Sequence, residues 1–168
     1  LTIGLMQAGY DVKMSEIHGM SQRGGAVSTD VRYGDKVESP VIEVGGADIL
    51  VSFEKMEALR WLKYLKKDGK AVINDFQINS MPILSGKAEY PEGIIEEISS
   101  KVETKVIKAA KLAEELGNQK VMNVILLGTI IKLMNLEAIN WEKIIRENVK
   151  EKFVDLNLKA LKTGMDLV

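Results

Sequence analysis

The sequence contains no cysteine. That removes disulfides, a thiolate nucleophile and thiolate-held zinc from what this chain can do alone. It also removes any iron–sulfur cluster ligated by this chain's own cysteines. Histidine is almost as scarce. His18 stands alone, so a histidine-rich metal site cannot form within one copy, and no metal site is expected. Positive charge is not in excess either: formal net charge is −1. A duplex nucleic-acid binder carries a basic surplus, and a polybasic membrane anchor needs a lysine–arginine cluster. Neither is present, so neither nucleic acid nor membrane is an expected partner. Long apolar runs are missing too. The longest, near Val124 to Ile131, is too short to span a bilayer and is flanked by Asn123 and Lys132. No secretory signal is visible. A cytoplasmic protein is the expectation.

What is there is an ordinary globular composition, 46% apolar and 28% charged over 168 residues. That is enough chain for one domain with a continuous core. The start reads as the inside of a helix. No initiator Met precedes Leu1-Thr2-Ile3-Gly4-Leu5-Met6, and nothing ahead of it can serve as an N-cap. The expectation is a domain over 1–168 whose native N-terminal stretch lies upstream of Leu1.

Periodicity then organises the chain. Residues 1–8 read as a helix stopped by Gly9. Asp11 to Ile17 and Ala26 to Tyr33 alternate as strands, separated by a glycine-rich loop from His18 to Gly25. Val37 to Val44 is expected as a further strand, with Pro40 marking an edge or bulge. Ile49 to Phe53 is nearly all apolar, as a strand buried on both faces would be. A helix from Glu54 to Lys66 follows. Met56, Leu59, Leu62 and Leu65 line its buried side, and Asp68-Gly69 ends it. Lys70 to Asn74 is the next buried strand. This strand–helix–strand series predicts a βαβ unit and a parallel sheet. Ile83-Leu84 and Lys87 to Tyr90 carry no decisive pattern. Gly93 to Ser100 reads as helix and Val102 to Ile107 as strand. Helices are expected over Ala109 to Leu116, Gln119 to Met134, Trp141 to Val149 with Asn140 as N-cap, and Glu151 to Val168. The fold class is therefore α/β: three layers, a mostly parallel sheet with flanking helices, and a helical C-terminal part.

Ligands of open parallel sheets bind beyond the carboxyl ends of the strands. Three polar stretches follow predicted strands: Ser15 to Gly25, Ser52 to Lys55, and Asn74 to Asn79. The first has the richest chemistry. Gly24 and Gly25 let backbone amides approach a ligand. Arg23 beside them offers a bidentate fork to a carboxylate or phosphate. Ser21 and Gln22 add neutral donors, and His18 can carry a proton near neutral pH. The loop suits an anion. Each residue also has a plainer reading: a turn for the glycines, a surface ion pair for Arg23, a hydrogen-bonded structural role for His18. Glu54 reads as a helix-start acid and Asp75 as a strand end. The methionines read as core filler rather than metal ligands, and Trp61 and Trp141 as packing or subunit contacts.

The run Tyr10-Asp11-Val12-Lys13-Met14-Ser15-Glu16-Ile17-His18-Gly19-Met20-Ser21-Gln22-Arg23-Gly24-Gly25-Ala26-Val27 closely resembles the segment that marks indolepyruvate oxidoreductase beta subunits. These are the indolepyruvate branch of the 2-oxoacid:ferredoxin oxidoreductase gamma family. Ser39-Pro40, Ala47-Asp48-Ile49-Leu50-Val51-Ser52-Phe53-Glu54, Glu57-Ala58-Leu59-Arg60 and Tyr64-Leu65 add to the likeness, which covers essentially the whole chain. The family pattern usually opens with a strand and a Gly-Gly-Gln-Gly loop, and this sequence lacks that stretch.

The resemblance implies a share in a multi-subunit reaction. An aryl 2-oxoacid is decarboxylated on thiamine diphosphate, electrons pass through iron–sulfur clusters to ferredoxin, and the acyl group goes to coenzyme A. Thiamine diphosphate and the clusters are expected on a large partner subunit in a hetero-oligomer, with no cofactor held by this chain alone and the isolated chain inactive. Arg23 and His18 are the supporting catalytic candidates. Ser21, Gln22, Arg23, Gly24 and Gly25 are the candidates for holding the substrate carboxylate or a coenzyme A phosphate. Two rival readings stand beside this one. The first is a non-catalytic assembly subunit, marked by a flat apolar patch in place of a polar pocket. The second is a stand-alone nucleotide-binding α/β protein, against which the missing glycine fingerprint counts.

Overall fold

A computed structural model describes residues 1–19 and 25–168. The first half holds a helix, α1 (Thr2–Gln7), and two strands, β1 (Asp11–His18) and β2 (Val27–Gly34). β1 and β2 form their own antiparallel two-stranded sheet, with Asp11 opposite Gly34 and His18 opposite Val27. A second sheet contains β3 (Ala47–Ser52), β4 (Leu65–Asn74) and β5 (Glu103–Ile107) in the order β3-β4-β5, all parallel. Among the described residues the parallel sheet predicted from the βαβ pattern therefore has three strands, and the hairpin is separate from it.

The parallel sheet is covered on both faces, and β4 shows why. Its side chains alternate. Val72 points into a cluster with Ile107, Ala109, Ala113, Ile125, Leu126 and Ala160. Ala71 and Ile73 point the other way, to Ala58, Leu65, Ile94 and Ile98. The first face carries α5 (Ala109–Glu115), α6 (Met122–Leu133) and α8 (Val154–Asp166). The second carries α2 (Lys55–Trp61) and α4 (Ile94–Ser99); the short α3 (Met81–Leu84) comes between α2 and α4 in the chain. This is the expected three-layer α/β arrangement with a helical C-terminal part. A third cluster, around Leu5, Ile131, Trp141 and Ile145, joins α1 and α7 (Trp141–Asn148) to α6 and α8 and receives Val12, Val31 and Tyr33 from the hairpin.

Glycine sets the closest helix contact. A Cβ on Gly164 would lie 1.9 Å from the Ile125 carbonyl oxygen, and one on Gly128 would lie 2.3 Å from that of Leu161. Only two glycines let α6 and α8 cross at this distance.

Several expectations need correction. Residues 37–44 are not a strand. Pro40 has no N–H to give a ladder, and side chains take over the bonding of this segment. Asp11 Oδ2 accepts from Val37 N–H (2.8 Å) and Asp30 Oδ2 from Ile42 N–H (3.2 Å). Arg32 Nη1 donates to the Ser39 and Val41 carbonyls. The helix after β3 is also shorter than its apolar spacing predicts. It ends at Trp61, a 3₁₀ turn covers Leu62–Tyr64, and Leu65 already pairs with Ala47 as the first residue of β4. Asp68-Gly69 therefore lies in a register shift of β4, not at a helix end. A Cβ on Gly69 would meet Leu65 Cδ1 at 2.7 Å, so the irregular strand needs glycine there. Phe53 lies beyond β3 and is exposed, and β3 itself is only half-buried. Finally, the methionines are not uniformly core: Met6, Met14 and Met81 are exposed.

Candidate functional site

Two regions carry the predicted site residues, and the structure separates their origins. The Ser15 to Gly25 stretch does not leave a strand of the parallel sheet. Ser15 to His18 end β1, and Gly25 lies just ahead of β2. Val12, Val31 and Tyr33 anchor the base of that ribbon on the helical cluster, and the Tyr10 and Tyr33 rings meet edge-on at 5.1 Å. Toward the other end, Met14, Ile17 and Val27 are exposed. Gly19 N–H donates to the Ala26 carbonyl at 2.7 Å and closes the hairpin. His18 and Glu16 share a face of β1, with His18 Nε2 3.0 Å from Glu16 Oε1. Glu16 Oε2 also accepts from the Thr29 hydroxyl (3.4 Å). Both His18 and Glu16 are largely open to solvent. Gly25 is half-buried at the entry to β2. Ser21, Gln22, Arg23 and Gly24 lie outside the described residues.

The second region is the carboxyl edge of the parallel sheet, where Ser52, Asn74 and Ile107 end their strands. Asn74 is fully buried and ties three elements together. Its Oδ1 accepts from Ala109 N–H at the start of α5 (2.9 Å), and its Nδ2 donates to the Phe53 carbonyl (3.0 Å) and to Met122 Sδ (3.3 Å). Ser52 Oγ donates to the Glu54 carbonyl at 2.6 Å and tightens the turn out of β3.

Glu54 is the helix-start acid the sequence predicts, and more. It is only 5% exposed. A buried carboxylate is costly unless its oxygens are bonded. Here Oε2 accepts from Glu57 N–H (2.9 Å), capping α2. Oε1 accepts from Ile78 N–H (3.3 Å) and from the Tyr90 hydroxyl. The Tyr90 hydroxyl in turn accepts from Met56 N–H (3.1 Å). Burial first, and the bond to Glu54 second, push the Tyr90 phenol well above its usual range, so it stays protonated. Lys55 completes the cluster, with Nζ 3.5 Å from Asp75 Oδ1 and 5.7 Å from the Tyr90 ring centre. Asp75 thus closes β4 and faces this edge as well.

Tyr90 is the residue that sequence reasoning missed, and Asn74, which opens one of the three polar stretches, has a bracing role that it did not foresee. Tyr90 lies in a stretch without periodicity, and only the need of a buried acid for donors points toward it. Asn74 reads as the last residue of a strand, and the buried amide partners it serves are far away in the chain. Of the two tryptophans, Trp141 is packing: it is buried, and its indole N–H donates to the Leu136 carbonyl (2.8 Å).

Every buried polar side-chain atom among the described residues has a partner, so this edge is a braced polar frame. Apolar side chains surround it. Phe53 and Phe76 are both exposed there, and Lys55 N–H bonds the Phe76 carbonyl (3.1 Å). Two shallow depressions lie at the opposite, amino edge, beside Lys67 to Gly69 and beside Asp48 and Lys66. Among the described residues no cluster of three or more acidic or imidazole side chains is placed to hold a metal, and no helix is long and apolar enough to cross a membrane.

Comparison with known proteins bears on what this frame serves. A family profile described as pyruvate ferredoxin/flavodoxin oxidoreductase matches residues 1–167. A protein of Archaeoglobus fulgidus named indolepyruvate oxidoreductase subunit IorB is 42% identical over 165 residues, spanning 95% of this chain and 81% of that protein. Among solved structures that share the fold are two oxidoreductase chains. One is the gamma subunit of a keto/oxoacid ferredoxin oxidoreductase from Geobacter sulfurreducens, with a TM-score of 0.65 at 20% identity, over 96% of this chain and 82% of that one. The other is a 2-oxoglutarate:ferredoxin oxidoreductase from Magnetococcus marinus, with 2-oxoglutarate, coenzyme A and succinyl-CoA bound. Its TM-score is 0.71 at 18% identity, over 99% of this chain but only 27% of that one.

Proposed function

The chain belongs to the pyruvate ferredoxin/flavodoxin oxidoreductase family, and from that membership we propose that it is the small subunit of a cytoplasmic indolepyruvate:ferredoxin oxidoreductase. The observation that carries this reading is the 42% identity to an indolepyruvate oxidoreductase subunit along nearly the whole chain. The complex would convert an aryl 2-oxoacid and coenzyme A to acyl-CoA and carbon dioxide. The electron pair left by decarboxylation would pass to ferredoxin.

The donor set of this chain does not fit the iron–sulfur part of that chemistry. With no cysteine, it offers no thiolates for a cluster. Clusters and thiamine diphosphate, which supplies the electron sink for decarboxylation, fall to the large partner subunit. The role left for this chain is to bind and orient. Arg23, with the amides of Gly24 and Gly25, holds the substrate carboxylate or a coenzyme A phosphate where the two subunits meet. Ser21 and Gln22 add neutral donors, and His18, held by Glu16 at 3.0 Å, sits at the near end of the same loop.

The reading of an assembly subunit without a binding role draws on a specific observation: the polar groups of the described carboxyl edge are bonded to one another, and Phe53 and Phe76 are exposed beside them. Reconstitution separates the two. Purified chain is added to the large subunit, and indolepyruvate-dependent ferredoxin reduction is followed with and without coenzyme A. Full activity of the large subunit without this chain would end both readings. Restoration of activity by an Arg23→Ala variant to the wild-type level, at every substrate concentration, would leave only the assembly role.

A further inference from the structure

The stretch from Phe76 to Ser85 reads Phe-Gln-Ile-Asn-Ser-Met-Pro-Ile-Leu-Ser. It has no charged residue, in a chain that is 28% charged. Four of its large apolar side chains are open to solvent, Phe76 at 41%, Ile78 at 59%, Met81 at 74% and Leu84 at 65%, while Ile83 is half-buried. Phe53, at 45%, is exposed at the same sheet edge, where its carbonyl accepts from Asn74 Nδ2 (3.0 Å). At about 200 Å² per large side chain, these fractions amount to roughly 570 Å² of exposed surface. That is near the upper end for an apolar patch on a monomer. It is also more than half of the ~800 Å² that one partner gives to a stable interface. Aromatic and methionine side chains without charges are the composition of an interface core.

The strip is also held in shape before anything covers it. Residues 75–80 have no helix or strand of their own. They are fixed from behind, by Ile78 N–H on Glu54 Oε1 (3.3 Å) and by Lys55 N–H on the Phe76 carbonyl (3.1 Å). Pinning a surface in its bound form lowers the ordering cost of association.

We propose that residues 76–84, with Phe53, form the docking surface for the large thiamine- and cluster-bearing subunit. The inference rests on the function proposed above. Its position chooses this occupant over a second copy of the chain. The strip borders the carboxyl edge of the parallel sheet, where α/β proteins place their ligands. A polypeptide that shares a substrate cleft with this chain has to cover that edge. The fold also occurs as 27% of one longer oxidoreductase chain, which supports a large polypeptide as the occupant.

The test is binding of the M81D/L84D double variant to the cognate large subunit, measured beside the wild type and a V41D control. Val41 is 62% exposed and lies outside the strip. The proposal expects the double variant to melt like the wild type when isolated and to bind at least roughly 100-fold more weakly, because two unpaired charges must be buried. V41D should bind as the wild type does. If the double variant does not fold, M81Q/L84Q takes its place, with a smaller but measurable loss expected. Wild-type affinity in the strip variants overturns the proposal. So does a wild-type dimer that the variants split while large-subunit binding is unchanged. Failure of the wild-type chain itself to bind the large subunit is a different result: it overturns the functional reading, and this inference falls with it.

Discussion

The Glu54 carboxylate and the Tyr90 hydroxyl are hydrogen-bonded across the carboxyl edge of the parallel sheet, although 36 residues separate them in the chain. One acid thereby joins the end of β3, the cap of α2, the 75–80 segment and Tyr90. Replacing Tyr90 with Phe removes a hydroxyl donor to Glu54 and leaves Met56 N–H without its acceptor. The expected cost is about 1–3 kcal/mol, read as a lower urea midpoint at an unchanged slope. Glu54→Gln should cost as much or more, because Glu57 and Ile78 also lose a charged acceptor.

The same pair sets a dependence on alkaline pH. The Tyr90 phenol is raised from an ordinary value of 10.0. A group whose folded pKa lies above its unfolded one contributes stability that is fully present below the unfolded value and is lost as pH rises through the folded one. The loss should therefore begin above pH 10.0 and not at neutral pH. Comparing denaturant midpoints of the wild type and Tyr90→Phe across this range checks it. The difference between them should be constant up to about pH 10 and shrink beyond it. A gap that stays constant through the alkaline limb would show that Tyr90 does not titrate in this way.

Gly164→Ala should destabilise more than an ordinary helix substitution. Alanine is the better helix former by about 1 kcal/mol, so propensity alone predicts a gain. The Cβ at 1.9 Å from the Ile125 carbonyl predicts a loss, since backbone on both sides has to move. Overpacking of this kind costs about 1–3 kcal/mol or more, and the steric effect should win. A melting temperature at or above the wild type's would mean that α6 and α8 can separate freely.

Asn74→Ala should be among the most damaging single changes at the carboxyl edge. Asn74 is fully buried and its amide serves Ala109 N–H, the Phe53 carbonyl and Met122 Sδ. Truncation leaves buried backbone groups unpaired, at about 1–3 kcal/mol each. Hydrogen exchange at Ala109 should rise sharply in the variant, and unchanged protection there would count against the role.

Much of this fold is legible in the sequence because it follows simple periods. The alternation of Val12 and Met14, and of Val27, Thr29, Val31 and Tyr33, gives the hairpin strands. Asn140 caps α7 through Lys143 N–H (3.0 Å), as its position implies. Illegible parts depend on partners distant in the chain. Residues 37–44 look like a strand because Val37, Val41, Ile42 and Val44 are apolar. Whether a ladder forms is decided by Asp11, Asp30 and Arg32, which bond that backbone first. Leu65 fits the helical spacing of Met56, Leu59 and Leu62, yet pairing with Ala47 draws it into β4. At the site, Glu54 is visible as a cap, while its donor Tyr90 has no local signature.

Arg23 carries the sharpest expectation for activity. A guanidinium that holds a carboxylate or a phosphate makes charge-assisted, paired hydrogen bonds worth about 1.5–3 kcal/mol. In the assembled complex, Arg23→Ala should lower kcat/KM roughly 10- to 100-fold for the substrate whose anion it holds. Which KM moves identifies the ligand: that of indolepyruvate if the carboxylate is held, that of coenzyme A if a phosphate is. Arg23→Lys keeps the charge but not the planar fork, and should recover only part of the loss. A residue that merely supported assembly would behave differently. Its loss would change affinity between the subunits and leave both Michaelis constants of the remaining complex where they were. Steady-state kinetics at saturating large subunit therefore decide between holding a substrate and holding a partner.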